Sequence, residues 1–291
     1  LQEWDEKGQQ EPFFIFLHMW DVHIDYIPPP PYDTLFDPDY AGPVTGEDVW
    51  DDATLNKNMD PRDLEHLVAL YDGEIRYTDL HLGKILNVLK KLGVYDQTII
   101  VVTSDHGEEF FEHGWKVHKF TLYDEVLRVP LVVRYPAKIP AGAVVAQQVR
   151  LMDVAPTILS LAGIPQPENF GTSALRDPHA ERDLYPLIVG DEAEATPPSI
   201  AFGDLRGKIA SIRTEEHKLI LNEQGLDELY DLSVDPQEQS NVLRSNADIY
   251  EALRRVHLAW KSTRARKTGF SKPAKLSVEQ LEVLRSLGYV E

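Results

Sequence analysis

Two short, uninterrupted runs of apolar or β-branched residues, separated by a long helical pattern, most constrain what this chain can fold into. The runs are residues 13–17, Phe-Phe-Ile-Phe-Leu, and residues 98–103, Thr-Ile-Ile-Val-Val-Thr. Consecutive residues of β-branched or aromatic type are typical of strands that are buried on both faces. Between them, residues 61–92 repeat apolar side chains at helical spacing. Strand, helix and strand in this order predict a parallel crossover unit and therefore an α/β fold.

The ends of the helical pattern carry the residues expected there. Asp60 is a suitable N-cap, Pro61 suits the first helical position, and Gly93 can provide a left-handed stop. Further along, residues 131–133 predict a third strand, and residues 153–161 predict a second helix that ends at a glycine. The core is therefore expected to alternate strands and helices.

The chain changes character near residue 200, after a stretch rich in proline, glycine and acidic residues that predicts a loop over 165–200. Three short segments then predict a small antiparallel sheet: 208–214, 218–222 and 228–232. Two helices are predicted to follow, over 247–261 and 277–287. We expect a largely parallel sheet sandwiched by helices over residues 1–200, and a smaller subdomain of antiparallel sheet and terminal helices over 201–291.

Composition excludes several classes of function. The 29 basic and 48 acidic side chains give a net charge of −19, which disfavours binding to nucleic acids and anionic membranes. The sequence has no cysteine, so disulfides, zinc ribbons, iron–sulfur sites and a cysteine nucleophile are excluded within these residues. Its apolar runs are also shorter than the roughly 18 residues of a membrane span.

The strongest candidate site is the segment Thr-Ser-Asp-His-Gly-Glu-Glu at residues 103–109, where a predicted strand ends. In open α/β sheets, ligands bind beyond the carboxyl ends of the strands. Asp105 and His106 could converge on one divalent cation in an irregular turn, and Gly107 permits a tight backbone path. By itself, the segment is also compatible with a simple turn capped by an aspartate.

Two further segments carry groups that could act on an anionic substrate. His23 follows the first apolar run and could be a general acid or a hydrogen-bond donor. His118 and Lys119 lie in a loop that returns to the same sheet, where a lysine could neutralise a substrate oxygen. Taken singly, His23 could be an ordinary loop histidine and Lys119 a solvated surface lysine.

Taken together, these segments resemble the sulfatase family in order and spacing. The matching stretches are 13–30 (F-hydrophobic-L-H-x-x-D-x-H-x-x-Y-x-P-P), 71–86 (Y-D-x-E-I-x-Y-x-D-x-x-L-G-x-x-L), 103–109 (T-S-D-H-G-E-E), 118–130 (H-x-x-T-L-Y-D-E-x-L-R-V-P), 153–159 (D-x-A-P-T-hydrophobic-L), 229–238 (L-Y-D-L-x-x-D-P-x-E) and 284–289. The resemblance covers almost the whole chain and is specific.

The resemblance implies an alkaline-phosphatase-like fold and hydrolysis of a small-molecule or glycan sulfate ester. Asp105 and His106 would complete a divalent-metal site, most often calcium, with Mn²⁺ or Zn²⁺ as alternatives. His23 would contact the sulfate and assist the leaving group, and Lys119 would bridge the metal site and the sulfate. His118 is a looser match to a further active-site histidine. A periplasmic or secreted location is also implied.

The sequence departs from the family pattern at the nucleophile. Sulfatases carry a C-x-P-S-R or C-x-A-x-R motif whose cysteine becomes formylglycine, and two metal-binding aspartates lie on the same segment. This sequence contains no cysteine, and its match begins downstream of that segment. We therefore expect a chain that lacks an N-terminal portion of its parent enzyme, including central strands, and that is poorly soluble and inactive by itself.

Two other functions stay open. A phosphonate monoester or phosphodiester hydrolase of the same superfamily is favoured by His106, because asparagine is commoner at that position in sulfatases. A non-catalytic sulfatase-like binding protein would lack the nucleophile and the upstream aspartates. Substrate identity is expected to depend on the variable loops over 33–60 and 165–200.

Overall fold

The computed structural model describes residues 1–9, 11–166, 182–191 and 200–265. The helices in these ranges are α1 (Gln2–Glu6), α2 (Pro61–Lys91), α3 (Asp124–Leu127), α4 (Val154–Ala162), α5 (Tyr185–Val189) and α6 (Ala247–Ala265). The strands are β1 (Ile100–Thr103), β2 (Glu109–Phe110), β3 (Lys116–Val117), β4 (Leu131–Arg134), β5 (Ala201–Leu205), β6 (Ile209–Arg213), β7 (His217–Asn222) and β8 (Glu228–Asp231). The predicted helix over 277–287 and most of the predicted loop over 165–200 lie outside the described residues.

Helix α2 begins and ends where the sequence predicts. The side chain of Asp60 accepts a hydrogen bond of 2.8 Å from the backbone N–H of Arg62, which satisfies one donor of the first turn. Gly93 follows the helix with a φ of +72°, a left-handed conformation that glycine adopts without strain. One face of α2 carries Leu67, which is buried in a core cluster with Tyr26.

Residues 13–17 do not form the predicted strand. They lie outside every described ladder, and Phe14 and Phe16 are 81% and 83% exposed. A strand needs a neighbour that accepts and donates its backbone hydrogen bonds, and no described strand pairs with this segment. The prediction was therefore wrong for this segment, which is an apolar ribbon that exposes Phe14 and Phe16 to solvent.

Strands β1 and β4 confirm the other two predicted core strands, but they pair antiparallel. In their register Val102 lies opposite Val132. The chain reverses direction through residues 104–130, which contain the β2–β3 pair and α3, and then returns alongside β1. The predicted parallel crossover between 13–17 and 98–103 is a separate matter, and it does not form among the described residues because 13–17 pairs with no described strand.

The C-terminal part confirms the predicted small antiparallel sheet and the helix that follows it. Strands β5 to β8 form a sheet in sequence order, with each strand antiparallel to the next. Its core side chains Ile212, Leu219 and Leu229 are fully buried and pack against Leu253 of α6. Strand β5 was not predicted, because its sequence Ala-Phe-Gly-Asp-Leu contains residues that disfavour strands. It forms a strand because it pairs with β6.

Helix α4 is confirmed and ends at Gly163, whose φ is +70°. Helix α5 lies inside the stretch predicted as loop over 165–200 and corrects that prediction. The chain before α5 docks on α4, since the N–H of Leu184 donates to the hydroxyl of Thr157 at 2.9 Å and Leu184 is buried. The domain boundary near residue 200 stays a prediction.

Across the described ranges, no helix has the length and apolarity that a membrane crossing requires.

Candidate functional site

The turn after β1 is held against α3 by its glycine. The N–H of Gly107 donates to the carbonyl of Val126 at 2.7 Å, and a Cβ on Gly107 would lie 2.0 Å from the carbonyl oxygen of Glu125. No other residue permits so close an approach. The turn that contains Asp105 and His106 is therefore fixed relative to α3.

Three histidines from separate segments converge beside this turn. The rings of His106 and His118 stack with centroids 3.8 Å apart, and the ring of His23 lies 5.2 Å from that of His118. The ring of Trp20 stacks on that of His23, with the two centroids 4.4 Å apart. His23, His118 and His106, in this order, are called the histidine row below. Three of the predicted site residues are thus brought together.

Glu108 orients the central ring of the histidine row. Its two carboxylate oxygens lie 3.1 and 3.3 Å from Nδ1 of His118, and both side chains are buried. A carboxylate at Nδ1 favours a proton on that nitrogen and leaves Nε2 for a ligand.

Glu108 also acts on a second side chain. Burial, followed by the charge of Glu108, raises the pKa of Tyr26. Sequence reasoning assigned Glu108 no role, although it lies inside the quoted motif, because its contact with His118 depends on the fold.

His23 is held in one orientation by the backbone. Its Nδ1 lies 2.8 Å from the carbonyl oxygen of Ile24, so Nδ1–H donates and Nε2 faces elsewhere. Burial lowers the pKa of His23, and the nearby His118 and His106 lower it further, against the opposing effect of the Ile24 hydrogen bond. Burial thus disfavours the charged form of His23, and Nε2 is the nitrogen left for a ligand.

Asp105 and His106 fit a divalent cation as two of its ligands. Nδ1 of His106 donates to the carbonyl of Gly107 at 2.8 Å, which leaves the lone pair on Nε2. That Nε2 lies 3.8 Å from Oδ1 of Asp105, so one ion could contact both at roughly 2.0–2.6 Å. Within the described ranges, no group of three or more His, Cys, Asp or Glu side chains surrounds a common metal position. The pair can therefore supply only part of a coordination shell.

Lys119 follows His118 in sequence, but its ammonium lies on an aromatic ring. Nζ of Lys119 is 4.4 Å from the centroid of Trp50, a cation–π contact. Sequence reasoning did not single out Trp50, although it lies in the 33–60 loop that was expected to influence substrate choice. The bridging of metal and sulfate by Lys119 stays a prediction.

The segment between His118 and α3 is fastened by buried polar side chains. The hydroxyl of Thr121 donates to Oε2 of Glu109 at 2.7 Å. Burial raises the pKa of Glu109 to about 6. At the start of α3, the N–H of Asp124 donates to Oε2 of Glu238 at 2.6 Å. The segment that carries His118 and Lys119 is thus anchored to Glu109 and to Glu238.

Comparison with known proteins gives one matching family. A family model described as Sulfatase matches residues 1–164. Arylsulfatase K of Bos taurus is 30% identical to this chain over 203 residues, which cover 66% of the chain and 36% of that protein.

Two solved structures share the fold. BT4656, solved in complex with its substrate D-glucosamine-2-N,6-O-disulfate, superposes with a TM-score of 0.57 and 28% identity, over 74% of this chain and 43% of its own. Phosphonate monoester hydrolase of Agrobacterium radiobacter superposes with a TM-score of 0.53 and 28% identity, over 72% of this chain and 43% of its own. This chain thus spans less than half the length of each of these proteins. The fold is the alkaline-phosphatase-like α/β fold that the sequence predicts.

Proposed function

Because the chain belongs to the sulfatase family, we propose that its histidine row takes part in hydrolysing the sulfuric ester of a small molecule or a glycan. The observation that carries the proposal is the convergence of His23, His106 and His118, with Lys119 next to His118 in sequence. A chain with a net charge of −19 must concentrate positive charge locally to hold an anionic ester. Lys119 and a divalent cation held by Asp105 and His106 are the proposed sources of it.

His23 is the proposed partner of the leaving oxygen. With Nδ1 donating to Ile24, Nε2 is the atom that can hold a proton toward the ester. Since burial lowers the pKa of His23, its protonated form is a stronger acid than an exposed imidazolium. That acidity favours proton transfer to the oxygen as the S–O bond breaks. Glu108 fixes the ring of His118, so that its Nε2 can contact the same ester.

Lys119 and the Asp105–His106 pair are proposed to neutralise the sulfuryl oxygens. A divalent cation held by Asp105 and His106 would offset charge on those oxygens. We propose calcium, with Mn²⁺ or Zn²⁺ as alternatives that suit an imidazole ligand better. The flexible four-carbon stem of Lys119 allows its ammonium to move from the ring of Trp50 to an ester oxygen.

The nucleophile is proposed to come from outside these 291 residues. They contain no cysteine, the residue from which the family's formylglycine is made. The 291-residue chain by itself is therefore proposed to be inactive toward sulfate esters. Turnover would require the formylglycine to be supplied next to the histidine row.

Two other candidates each have an observation in their favour. The histidine at position 106 and the likeness to the Agrobacterium radiobacter hydrolase at 28% identity favour cleavage of a phosphonate monoester or a phosphodiester. The lack of cysteine in these residues favours a non-catalytic sulfatase-like protein that binds an ester without cleaving it.

An assay of the protein as its gene encodes it, on matched esters, separates these three functions. We expect kcat/KM for 4-nitrophenyl sulfate to exceed that for the 4-nitrophenyl monoester of phenylphosphonate. The reverse order would identify a phosphonate hydrolase. Saturable binding of both esters without turnover of either would identify the binding protein.

A further inference from the structure

His113 lies in the turn between β2 and β3, and its buried ring connects that turn to two other parts of the molecule. Its Nε2 lies 3.0 Å from the backbone carbonyl oxygen of Glu238, in the loop after β8. Its ring stacks on that of Tyr123, the residue before α3, with centroids 3.6 Å apart. Its Nδ1 lies 3.5 Å from Oε1 of Glu125 in α3. One side chain therefore contacts both the start of α3 and the loop after β8.

The hydrogen bond of Nε2 decides what the other nitrogen of His113 can do. A carbonyl oxygen only accepts, so Nε2 carries the proton of the neutral ring and Nδ1 is an acceptor. The side-chain amide of Gln239, 3.3 Å from the same Nε2, has both a donor and an acceptor and fits this assignment. In the neutral ring, Nδ1 therefore faces the carboxylate of Glu125 as one acceptor facing another.

Three acceptor atoms in this part of the molecule are buried and have no hydrogen-bond partner within the described ranges. They are Nδ1 of His113, Oε2 of Glu125 and Oε1 of Glu109. These three residues are called the acceptor cluster below. A buried acceptor without a donor has lost its hydration without compensation, so a hydrogen atom supplied to the cluster stabilises it.

The surroundings of the acceptor cluster favour uptake of a proton. Burial raises the pKa of Glu109 to about 6, although a hydrogen bond from Thr121 and the charge of His113 oppose the rise. The charges of Glu112 and Glu125 add to it. A carboxylate in such surroundings binds a proton more readily than an exposed carboxylate does.

The other polar groups that face the acceptor cluster are already paired. Lys218 of β7 lies 2.8 Å from Glu238 and 2.9 Å from Asp124, and Arg213 of β6 lies 2.8 Å from Asp124. The hydroxyl of Tyr123 donates to Oε2 of Glu228 in β8 at 2.7 Å. A proton from solvent is therefore the most direct source of the hydrogen that the cluster lacks.

A proton would change the contacts of the acceptor cluster in two places. On Nδ1 of His113 it converts the contact with Glu125 into a charge-assisted N–H···O hydrogen bond. On Glu109 it gives a carboxylic acid, which can donate. Both changes take up a proton, so both are favoured at low pH and reversed as pH rises.

The acceptor cluster also contacts the segment of residues 118–124. Oε2 of Glu109 accepts a hydrogen bond of 2.7 Å from the hydroxyl of Thr121, and the ring of His113 stacks on Tyr123. Hydrogen bonds gained within the cluster therefore restrain this segment as well.

We propose that His113 and Glu125 are positioning residues for the segment 118–124 and act through a shared proton. With the proton bound, they hold the segment against α3 and the loop after β8, which fixes the position of Lys119. Without the proton, two acceptors face each other and the segment loosens. This role goes beyond the proposed ester hydrolysis and does not depend on it.

Amide hydrogen exchange at pH 5.5 and pH 8, corrected for the intrinsic exchange rate at each pH, tests this role in the protein as its gene encodes it. In the wild type, protection of peptides that cover 118–124 should fall about tenfold from pH 5.5 to pH 8, whereas protection of β7 should not change. Glu223→Gln, at an exposed residue of the turn after β7, is the control and should behave as the wild type.

Two variants should lose the pH dependence in opposite ways. The amide of Glu125→Gln can donate to the neutral Nδ1 of His113, so protection should stay at its acid level at both pH values. His113→Phe keeps a ring on Tyr123 but has no nitrogen, so protection should be low at both.

Wild-type protection that is equal at the two pH values, or a Glu125→Gln variant with the same pH dependence as the wild type, would overturn the proposal. Glu125→Gln decides the matter by itself if His113→Phe does not fold. Because amide exchange needs no substrate, neither result depends on whether the protein cleaves an ester.

Discussion

The ammonium of Lys218 lies 2.9 Å from Oδ1 of Asp124, and both residues are buried. Lys218 belongs to β7 of the C-terminal sheet, whereas Asp124 begins α3, shortly after Lys119. Oε1 of Glu238 lies 2.8 Å from the same ammonium, and Arg213 of β6 lies 2.8 Å from the other oxygen of Asp124. The C-terminal sheet is thereby joined by ion pairs to the segment that carries the proposed site.

Replacing Lys218 tests how much this junction stabilises the fold. Lys218→Met would leave Asp124 and Glu238 buried close together with less compensating charge. The free energy of unfolding should fall by about 3–5 kcal/mol, the usual cost of removing one partner of a buried ion pair. Urea unfolding followed by circular dichroism measures this change.

Lys208→Met is the matched control, because Lys208 is exposed on the turn between β5 and β6 of the same sheet. Its free energy of unfolding should stay within about 0.5 kcal/mol of wild type. Equal effects of the two substitutions would show that the buried ion pairs do not stabilise the junction.

Glu74 should make stability depend on pH. Burial raises the pKa of Glu74 to about 7 from an ordinary value of 4.5, although its Oε1 accepts a hydrogen bond from the N–H of Ile27. Between these two values the folded state binds more protons than the unfolded state. The free energy of unfolding therefore falls as pH rises from about 4.5 to 7. Glu74→Gln keeps an acceptor but cannot ionise. Between pH 5 and pH 8, its free energy of unfolding should therefore rise relative to that of the wild type by on the order of 2 kcal/mol.

Thermal unfolding between pH 5 and pH 8 measures the effect of Glu74→Gln. Glu65→Gln on the exposed face of the same helix is the control and should follow the wild-type curve. If the wild-type and Glu74→Gln midpoints run parallel across this range, Glu74 does not ionise in the folded protein as described.

Local sequence patterns predicted much of the fold, but they did not predict which distant segments pair with each other. The cap at Asp60 and the stop at Gly93 act within a few residues, so the bounds of α2 could be predicted. The ribbon over 13–17 has the composition of a buried strand, but composition does not supply a pairing partner. Strand β5 shows the converse, since its weak local preference is overridden by its pairing with β6.

Site residues that belong to a sequence motif could be predicted, whereas residues that reach the site only through the fold could not. His23, His106 and His118 were chosen from motifs, and the structure places their rings together. Glu108 gains its role only from its contact with His118. Trp50 likewise meets Lys119 only in the folded chain, because their two loops are distant in sequence.

The exposed ribbon should make the 291-residue chain self-associate. Phe14 and Phe16 are exposed and lie in a segment that pairs with no described strand, and both features favour edge-to-edge pairing with another copy. The double substitution Phe14→Ser and Phe16→Ser should lower the mass-average size measured by light scattering. Leu226→Ser, at a single exposed apolar residue elsewhere, should have no such effect. A wild-type chain that stays monomeric at high concentration would contradict this.

Metal binding by the 291-residue chain should be weak. Asp105 and His106 supply two ligands, whereas calcium prefers six to eight. Isothermal titration should give a Kd for calcium on the order of millimolar, and Asp105→Ala should abolish binding. Asp39→Ala, at an exposed aspartate, should leave the Kd unchanged. A Kd in the micromolar range would mean that further ligands complete the shell within this chain.

The histidine row and Lys119 are proposed to form a sulfate-ester site, and the kinetics of Lys119→Ala decide whether they do. The measurement is kcat/KM for 4-nitrophenyl sulfate, in the protein as its gene encodes it, with Lys84→Ala on the exposed face of α2 as control. We predict a fall of about 100-fold or more for Lys119→Ala, the usual effect of removing a group that stabilises charge in the transition state, and no change for the control. An unchanged kcat/KM in Lys119→Ala would contradict the claim.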